Sequence, residues 1–237
     1  MESLFQYVAS PSPCGYLPDR DWSIEYEMVG QMTAAEYLAR LKAGWRRFGG
    51  MLFRPRCPAC QACQSLRVLV DQFRPNRSQK RAARINAGEV ELVIGHPGVS
   101  REKLRLYDEY HAYQADSKGW PEHPAKDAAS YAHSFVHNPI PTEEWCYYLD
   151  GRLVGVGYVD RLAKGLSAIY FFYDPALRKR SLGTWNVLCL VTESAARRLP
   201  HLYLGYYVEG SRSMVYKSLF VPNQILGPDG VWRDFRK

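Results

Sequence analysis

Cysteine is the reactive residue type that is placed most unevenly in this chain. Three of the six cysteines, Cys57, Cys60 and Cys63, stand in the segment C-P-A-C-Q-A-C, and Cys14 stands in a turn-like S-P-C-G-Y. Thiolates at this spacing are typical ligands of zinc or of an iron–sulfur cluster. The three cysteines, with Cys14 as a distant fourth ligand, therefore form a candidate metal site. The alternative is a loop of reduced, partly buried thiols that holds no metal.

A second segment, D-P-A-L-R-K-R-S-L-G-T at 174–184, has the composition of an anion-binding loop. It lies between an apolar run and an amphipathic stretch, so we expect a strand before it and a helix after it. Exposed amides and the helix dipole at such a helix start attract phosphate groups. Arg178, Arg180, Ser181 and Gly183 are the candidate contacts. The spacing of Arg180 and Gly183 resembles the phosphate-binding turn of the GNAT acyltransferase fold.

Basic residues outnumber acidic ones, with 31 Lys and Arg against 24 Asp and Glu and a formal net charge of +7. The excess is clustered in F-R-P-N-R-S-Q-K-R-A-A-R, residues 73–84, which contains no acid. Clustered positive charge indicates a nucleic-acid surface, whereas the total charge alone does not. The alternative is a solvated basic face. Further along, Lys217 is a basic residue near the expected mouth of the sheet.

Hydrophobic periodicity and turn residues place these segments on strands and helices. The first part of the chain is loop-rich. The capping box Thr33–Glu36 then starts a helix that runs to about Arg47. The next elements are strands at 51–54 and 66–70, a helix capped by Asn76 that ends near Asn86, a strand at 89–94, and helices at 100–115 and 128–137.

The sequence pattern of the second half of the chain predicts mainly β-strands. An Asp150-Gly151 turn between 145–149 and 153–159 predicts a hairpin, and the apolar run 166–173 predicts a buried strand. A helix at 181–198, a strand at 202–208, a helix at 211–219 and an irregular tail follow. This order predicts an α/β or α+β layer structure. We divide the chain into a Cys-containing N-terminal region, 1–75, and a C-terminal domain, 76–237.

Five segments in this order resemble the aminoacyl-tRNA–protein transferase family, which includes eukaryotic arginyltransferases and bacterial leucyltransferases. They are CGYLPDRDWSIEYE (14–27), GGMLFRPRCPACQACQSLRV (49–68), FRPNRSQKR (73–81), LSAIYFFYDPALRKRSLGTW (166–185) and YLGYYVEGSRSMVYKSLFVP (203–222). Together they cover nearly the whole chain, which makes the resemblance more specific than any single motif. It implies an α+β fold in which the Cys-bearing N-terminal region precedes a GNAT-like acyltransferase domain.

The resemblance also implies a reaction. An enzyme of this family moves an amino acid from the 3′ end of charged tRNA onto the α-amine of proteins that begin with Asp or Glu, which creates a destabilising N-terminus for degradation. The short chain and the three-Cys loop look like the bacterial branch, whose donor is leucyl-tRNA. An arginyl donor with the same acceptors is the alternative. Two other classes stay open: a non-catalytic tRNA-binding or metal-sensing module, and a GNAT enzyme that uses acetyl-CoA.

This reaction assigns roles to the candidate residues. Asp174 is the candidate for holding or deprotonating the acceptor amine, and the alternative is that it caps the turn before Pro175. An acidic N-terminal side chain needs a cationic partner, for which Arg54, Arg67 and Arg77 are the candidates, with structural ion pairs as the alternative. Contacts with tRNA are expected from Arg74, Lys80, Arg81, Arg84, Arg178, Arg180, Ser181, Gly183 and Lys217.

Transfer itself needs no cofactor, because the donor ester is already activated. A zinc ion or an iron–sulfur cluster on Cys14, Cys57, Cys60 and Cys63 is the only cofactor that the sequence suggests. No apolar run approaches the roughly 18 residues of a membrane span, and the N-terminus lacks the pattern of a secretory signal. We therefore expect a cytoplasmic protein with no membrane partner, whose partners are aminoacyl-tRNA and protein substrates, and which acts as a monomer.

Overall fold

Strands form most of the framework in the computed structural model, which describes residues 1–122 and 124–236. The strands are β1 (Ser3–Val8), β2 (Ser12–Pro13), β3 (Asp21–Trp22), β4 (Ile24–Val29), β5 (Arg46–Phe48), β6 (Met51–Pro55), β7 (Cys63–Leu69), β8 (Val90–Gly95), β9 (Thr142–Leu149), β10 (Arg152–Leu162), β11 (Gly165–Tyr173), β12 (His201–Val208), β13 (Asn223–Leu226) and β14 (Trp232–Arg236). The α-helices are α1 (Ala34–Lys42), α2 (Arg77–Asn86), α3 (Arg101–Lys118), α4 (Ala128–Tyr131) and α5 (Leu182–Ala196). Single 3-10 or π turns occupy Val70–Gln72, Ala132–Val136, Pro175–Arg180 and Val215–Leu219. The prediction of a mixed α+β fold is confirmed.

The first part of the chain forms a four-stranded antiparallel sheet, in the order β1-β4-β6-β5, which we call the small sheet. The prediction of a loop-rich region was therefore wrong. The strand β4 alternates regularly, but its buried positions include Glu25 and Glu27, so the hydrophobic pattern that marks a strand is missing. Every residue of β1 is exposed, which removes the same signal there.

The helix α1 begins as predicted but ends earlier. Thr33 and Glu36 form the capping box, and the helix stops at Lys42 rather than near Arg47. Gly44 has a positive φ of 87°, which favours glycine, and the chain then re-enters the small sheet as β5. Residues of α1 pack in one apolar cluster with Tyr203 of the second sheet, so the two sheets share a core.

The second sheet, which we call the large sheet, has the order β14-β13-β7-β12-β11-β10-β9-β8. Its strands pair antiparallel except β11 and β12, which pair in parallel. The strand β7 lies between β12 and β13, although it precedes the domain boundary that we expected near residue 75. That boundary stays a prediction, and the regions on its two sides share one sheet.

Local turn chemistry explains the best-predicted elements. Asp150 and Gly151 both have positive φ, as the hairpin turn between β9 and β10 requires. Asn76 and Gln79 form a capping box at the start of α2, and Ser100 caps α3. The C-terminal end differs from our expectation. The helix predicted at 211–219 is only a 3-10 turn at Val215–Leu219, and the tail contains β13 and β14.

No helix of the described residues combines enough length with enough apolar character to cross a bilayer.

Candidate functional site

The parallel strands β11 and β12 separate part way along the large sheet. Only Gly165–Ser167 of β11 pairs with His201–Tyr203 of β12, although each strand continues for several residues beside its other neighbour. At Gly205, just past the separation, the register of β12 shifts and φ is +85°. A bulge at a diverging strand pair leaves backbone groups and space inside the sheet that neighbouring side chains can fill.

Two buried cationic side chains fill this space. Arg46, from β5 of the small sheet, donates to the carbonyl of Ala168 on β11 at 2.6 Å. Lys217, from the 3-10 turn after β12, donates to the carbonyl of Tyr206 at 2.9 Å. The residues are only 6% and 8% exposed. Burial lowers the pKa of Lys217 to about 7, and the charge of Arg46 adds to this lowering.

This position of Lys217 differs from what we expected. The sequence suggested a lysine on the tRNA-facing surface, but its ammonium group lies inside the protein, against the carbonyl of Tyr206 and the sulfur of Met214. A buried side chain cannot contact a phosphate of the tRNA backbone without a rearrangement. Contact between Lys217 and tRNA is therefore not supported by its placement.

An apolar cavity of about 350 Å³ lies beside this pair, between the two sheets. One wall is the face of the small sheet that carries Tyr26, Phe48 and Phe53. The opposite wall includes Tyr206 of the large sheet. Arg46 is directly opposite Phe53 across the β5–β6 pair, and it therefore shares the face of the sheet that lines the cavity.

All four predicted metal ligands line this same cavity. Each thiol is half-buried and free, and Cys63 is close enough to Cys57, Cys14 and Cys60 for their charges to interact. Burial, together with repulsion among these thiolates, raises the pKa of Cys63 to about 12, so it is a neutral thiol at pH 7. The Sγ of Cys57 faces the carbonyl of Ser23 at 3.8 Å.

The fit of these thiols to a metal can be tested on their geometry. Within residues 1–122 and 124–236, no group of three or more His, Cys, Asp or Glu side chains lies close enough to hold a metal ion. The four cysteines lie in one place, as the sequence suggested. They form part of an open cavity wall and do not form a ligand set. A zinc ion or an iron–sulfur cluster on these thiols therefore stays a prediction.

A second cavity, of about 820 Å³, lies along the basic helix α2. Its lining residues are Arg77, Ser78, Lys80, Arg81 and Arg84. All of these side chains are exposed, and α2 has no acid in its first turn. Arg74, just before the helix, is also exposed and donates to the carbonyl of Phe73. The predicted basic cluster is thus a continuous concave surface.

The helix α2 is tied to both other parts of the site. At one end, Asn86 donates to the carbonyl of Arg180, and Arg180 pairs with Glu89 at 2.7 Å. Near the other end, Gln79 donates to the carbonyl of Leu219, in the same turn as Lys217. The basic surface, the 178–183 loop and the buried lysine therefore belong to one connected region.

The predicted phosphate loop has an unusual backbone at the start of α5. Ser181 has a positive φ of 56° and its side chain makes no capping hydrogen bond, so the first amides of α5 have no side-chain cap. The position of Gly183 is open, because a Cβ there would meet no atom within 4 Å. Arg178 and Arg180 are in the 3-10 turn before the helix. These features agree with an exposed anion site.

The other predicted site residues have partners of their own. Arg54 pairs with Glu25 at 2.6 Å and lies over the Trp45 ring. Arg67 donates twice to Gln224, at 2.7 and 2.9 Å. Arg54, Arg67 and Arg77 lie on the small sheet, the large sheet and α2, respectively, and the structure does not gather them at one cavity.

Asp174, the predicted catalytic group, uses both carboxylate oxygens in structural contacts. Its Oδ1 accepts from the amide of Ala176 at 2.9 Å, and its Oδ2 accepts from Arg152 at 2.6 Å. These contacts correspond to the capping role that we considered as the alternative. Its role as a base stays an untested prediction.

Sequence reasoning missed Arg46, which stands in G-W-R-R-F-G-G. The signal that could have found it is a pair of adjacent arginines in an otherwise apolar segment between glycines. On a strand, neighbouring side chains point to opposite faces, so at least one of the two arginines had to be buried or to face a cavity.

Comparisons with known proteins identify the family of the chain. Sequence models of the C terminus and the N terminus of arginine-tRNA-protein transferases match residues 102–227 and 12–81. The chain belongs to this family, as the sequence segments suggested, and it is an aminoacyltransferase.

Curated relatives and a solved structure add detail. The aspartate/glutamate leucyltransferase of Helicobacter hepaticus is 33% identical over 225 residues, which cover 94% of this chain and 92% of that protein. The protein of the same name from Marinobacter nauticus is 37% identical over 246 residues, covering 99% and 97%. The crystal structure of FemX has a similar fold at 7% identity, with a TM-score of 0.51 over 92% of this chain and 85% of that one.

Proposed function

We propose that this protein transfers leucine from leucyl-tRNA to the α-amine of proteins that begin with Asp or Glu. The names of its relatives support this acceptor and donor, since they are aspartate/glutamate leucyltransferases that align along nearly their whole length. The observation that carries the choice of donor is the apolar lining of the cavity between the two sheets. The turn that holds Lys217, whose ammonium group bonds to the lining residue Tyr206, is tied to α2 through Gln79.

The walls of this cavity favour a leucyl over an arginyl donor. Among the described residues that line it, Asp21 is the only carboxylate, and it is exposed. A guanidinium in the cavity would have only this solvated carboxylate as a partner, and the charges of Arg46 and Lys217, next to Gly205 and the lining residue Tyr206, would repel it. A leucyl side chain needs only apolar surface such as Phe48 and Phe53, and its burial contributes about 1.5–3 kcal/mol.

The tRNA would lie along α2. Exposed Arg and Lys side chains that line one concave surface suit a phosphate backbone, which binds mainly through charge. The 178–183 loop lies at the C-terminal end of α2 and offers amides at the start of α5 to the phosphates of the acceptor end. We also infer a GNAT-like architecture, supported by the diverging parallel pair β11–β12 and by the likeness to FemX.

The chemistry is a transfer between two positioned substrates. The neutral α-amine attacks the ester carbonyl carbon, the new C–N bond forms, and the bond from that carbon to the ribose oxygen breaks. The amine loses one proton and the ribose oxygen gains one. The pKa of an α-amine is about 7.7–8.0, so roughly a tenth to a fifth of the acceptor is already neutral at pH 7. Positioning of the two substrates can therefore supply most of the rate enhancement of the transfer.

No cofactor takes part in this scheme, because the aminoacyl ester is activated before it binds. The thiols of Cys14, Cys57, Cys60 and Cys63 contribute to the cavity wall. Metal analysis of protein purified without oxygen, before and after substitution of Cys60 by Ser, tests this assignment. A stoichiometric metal that the substitution removes would contradict it. We place the reaction in the cytoplasm, where aminoacyl-tRNA is made.

The deciding experiment is a transfer assay. Purified protein receives radiolabelled leucyl-tRNA or arginyl-tRNA together with matched peptides that begin with Asp, Glu or Ala. We expect label from leucyl-tRNA on the Asp and Glu peptides only. Deacylated tRNA with free labelled leucine is the control for dependence on the ester. Transfer from arginyl-tRNA alone would overturn the donor. Binding of tRNA without any transfer would favour a non-catalytic module, and acetylation by labelled acetyl-CoA would favour a GNAT acetyltransferase.

A further inference from the structure

The strongest feature that the proposed reaction does not use is the pair of buried cations at the β11–β12 divergence. Within the described chain, neither Arg46 nor Lys217 forms an ion pair with a carboxylate. Among the described residues, their hydrogen-bond acceptors are carbonyl oxygens and one thioether sulfur. Buried charges in folded proteins are normally paired, so two adjacent unpaired ones indicate a missing anion.

The two groups converge on one point. A Cβ placed on Gly205 would lie 3.5 Å from Lys217 Nζ and 3.6 Å from both Nε and Nη2 of Arg46. Glycine leaves this point free. The nearby strand residue Tyr206 lines the apolar cavity, and the face of the small sheet that carries Arg46 lines it too. An anion that reaches Gly205 therefore meets a guanidinium and an ammonium group together.

We propose that Arg46 and Lys217 bind the side-chain carboxylate of the acceptor's N-terminal residue and so set the preference for Asp and Glu. This inference rests on the proposed function of the protein. A planar guanidinium forms paired hydrogen bonds with a carboxylate, and the ammonium group adds a charged donor. Burial and the charge of Arg46 lower the pKa of Lys217, and a bound carboxylate would raise it again.

The chemistry of the surroundings distinguishes this carboxylate from a tRNA phosphate. Phosphates along an RNA backbone bind to rows of exposed cationic side chains, and α2 provides such a row. The Arg46–Lys217 pair is instead buried, next to Tyr206 of a cavity with aromatic walls, and is not part of an exposed row. Arg54 and Arg67, which the sequence suggested for this role, have partners elsewhere.

Such a site discriminates against a neutral first residue, because that residue provides no counter-ion for the two buried cations. A peptide that begins with Asn has the shape of one that begins with Asp but lacks the charge. If it binds, the two cations stay buried without a counter-ion, which opposes binding strongly. An acidic residue removes that penalty.

The test compares acceptor preference in wild type and variants. We measure kcat/KM for peptides that differ only in a first residue of Asp or Asn, with saturating leucyl-tRNA, for wild type, Arg46→Met, Lys217→Met and Lys217→Arg. We expect the Asp-over-Asn ratio to fall by roughly ten- to a hundredfold in each Met variant and to recover in part in Lys217→Arg. Arg105→Met and Lys164→Met, which remove exposed cations, are the matched controls and should keep the wild-type ratio.

Each other outcome has a defined meaning. An unchanged ratio in folded Met variants overturns the inference and leaves the proposed function standing. Equal loss on both peptides, with weaker binding of leucyl-tRNA, assigns the pair to the donor and also overturns it. Folding is checked by circular dichroism, and retained binding of leucyl-tRNA shows that the rest of the site is intact. Absence of transfer to any peptide by wild type contradicts the proposed function itself.

Discussion

Arg46 and Arg47 are neighbours on β5, but their side chains have different partners. Both are buried, at 6% and 3% exposure, and they face opposite sides of the small sheet. Arg47 is bonded to both carboxylate oxygens of Asp160, to Asn138 and to Thr142. Among the residues that the structure describes, Arg46 has one carbonyl acceptor, and Lys217 is its cationic neighbour. Burial alone therefore does not show whether a charged side chain stabilises the fold or binds a ligand. The partners of the side chain distinguish these two roles.

Removal of the partner of Arg47 should have the largest effect. In Asp160→Asn the guanidinium stays buried without a counter-charge, and breaking such a pair costs about 3–5 kcal/mol of unfolding free energy. Arg46→Met removes no carboxylate interaction and leaves one carbonyl without a donor, so it should cost at most about 1–3 kcal/mol. Chemical denaturation of both variants measures the difference. If Arg46→Met were as destabilising as Asp160→Asn, the contrast between the two arginines would fail and Arg46 would be structural.

The exposed cations of α2 provide a second contrast with the buried pair. Arg81→Glu with Arg84→Glu should weaken binding of leucyl-tRNA by roughly tenfold to a hundredfold at low salt. It should also reduce the slope of log K against log salt by about two, because two phosphate contacts are lost. Filter binding across a salt series measures both. The matched control reverses Arg101 and Arg105 on α3, and an equal effect there would mean that only net charge matters.

The contrast between these regions also explains what could be predicted from the sequence. The surface of α2 was predictable because its signals are local: a cap at Asn76 and a run of bases without an acid. The hairpin at Asp150-Gly151 was local too. The small sheet was not, because Glu25 and Glu27 occupy its buried positions and are paired with arginines distant in sequence.

The candidate site divides in the same way. Four cysteines separated by up to 49 positions could be placed together from spacing and family resemblance, and they do line one cavity. The convergence of Arg46 and Lys217 could not be predicted, because it depends on the bulge at Gly205 and on the separation of β11 from β12. Such features arise from pairing between distant strands, and no local pattern encodes them.

Lys217 should also affect the pH dependence of stability. Its pKa is about 7 in the folded protein against an ordinary value of 10.5, so the unfolded chain binds its proton more tightly. The penalty is fully present below pH 7, and stability gains up to about 1.4 kcal/mol per pH unit as pH rises from about 7 towards 10.5. Lys217→Met should lose this gain and be more stable than wild type below pH 7. Denaturation at pH 6.5 and 8.5 tests it, and parallel profiles would show that Lys217 is not a buried cation.

The smallest effect concerns Asp174, which contrasts with Asp160 because its ion-pair partner Arg152 has a side chain that is 54% exposed. A partly solvated pair contributes at most about 1 kcal/mol, and Asn retains an oxygen that can cap the turn at Ala176. Asp174→Asn should therefore lower stability by about 0.5–1 kcal/mol and leave kcat for transfer within about twofold of wild type. Asp174→Ala, which also removes the cap, should cost about 1 kcal/mol more and serves as the comparison.

A hundredfold fall in kcat in Asp174→Asn at nearly unchanged stability would instead make Asp174 the group that takes the amine proton. The structural account of both its oxygens would then be incomplete.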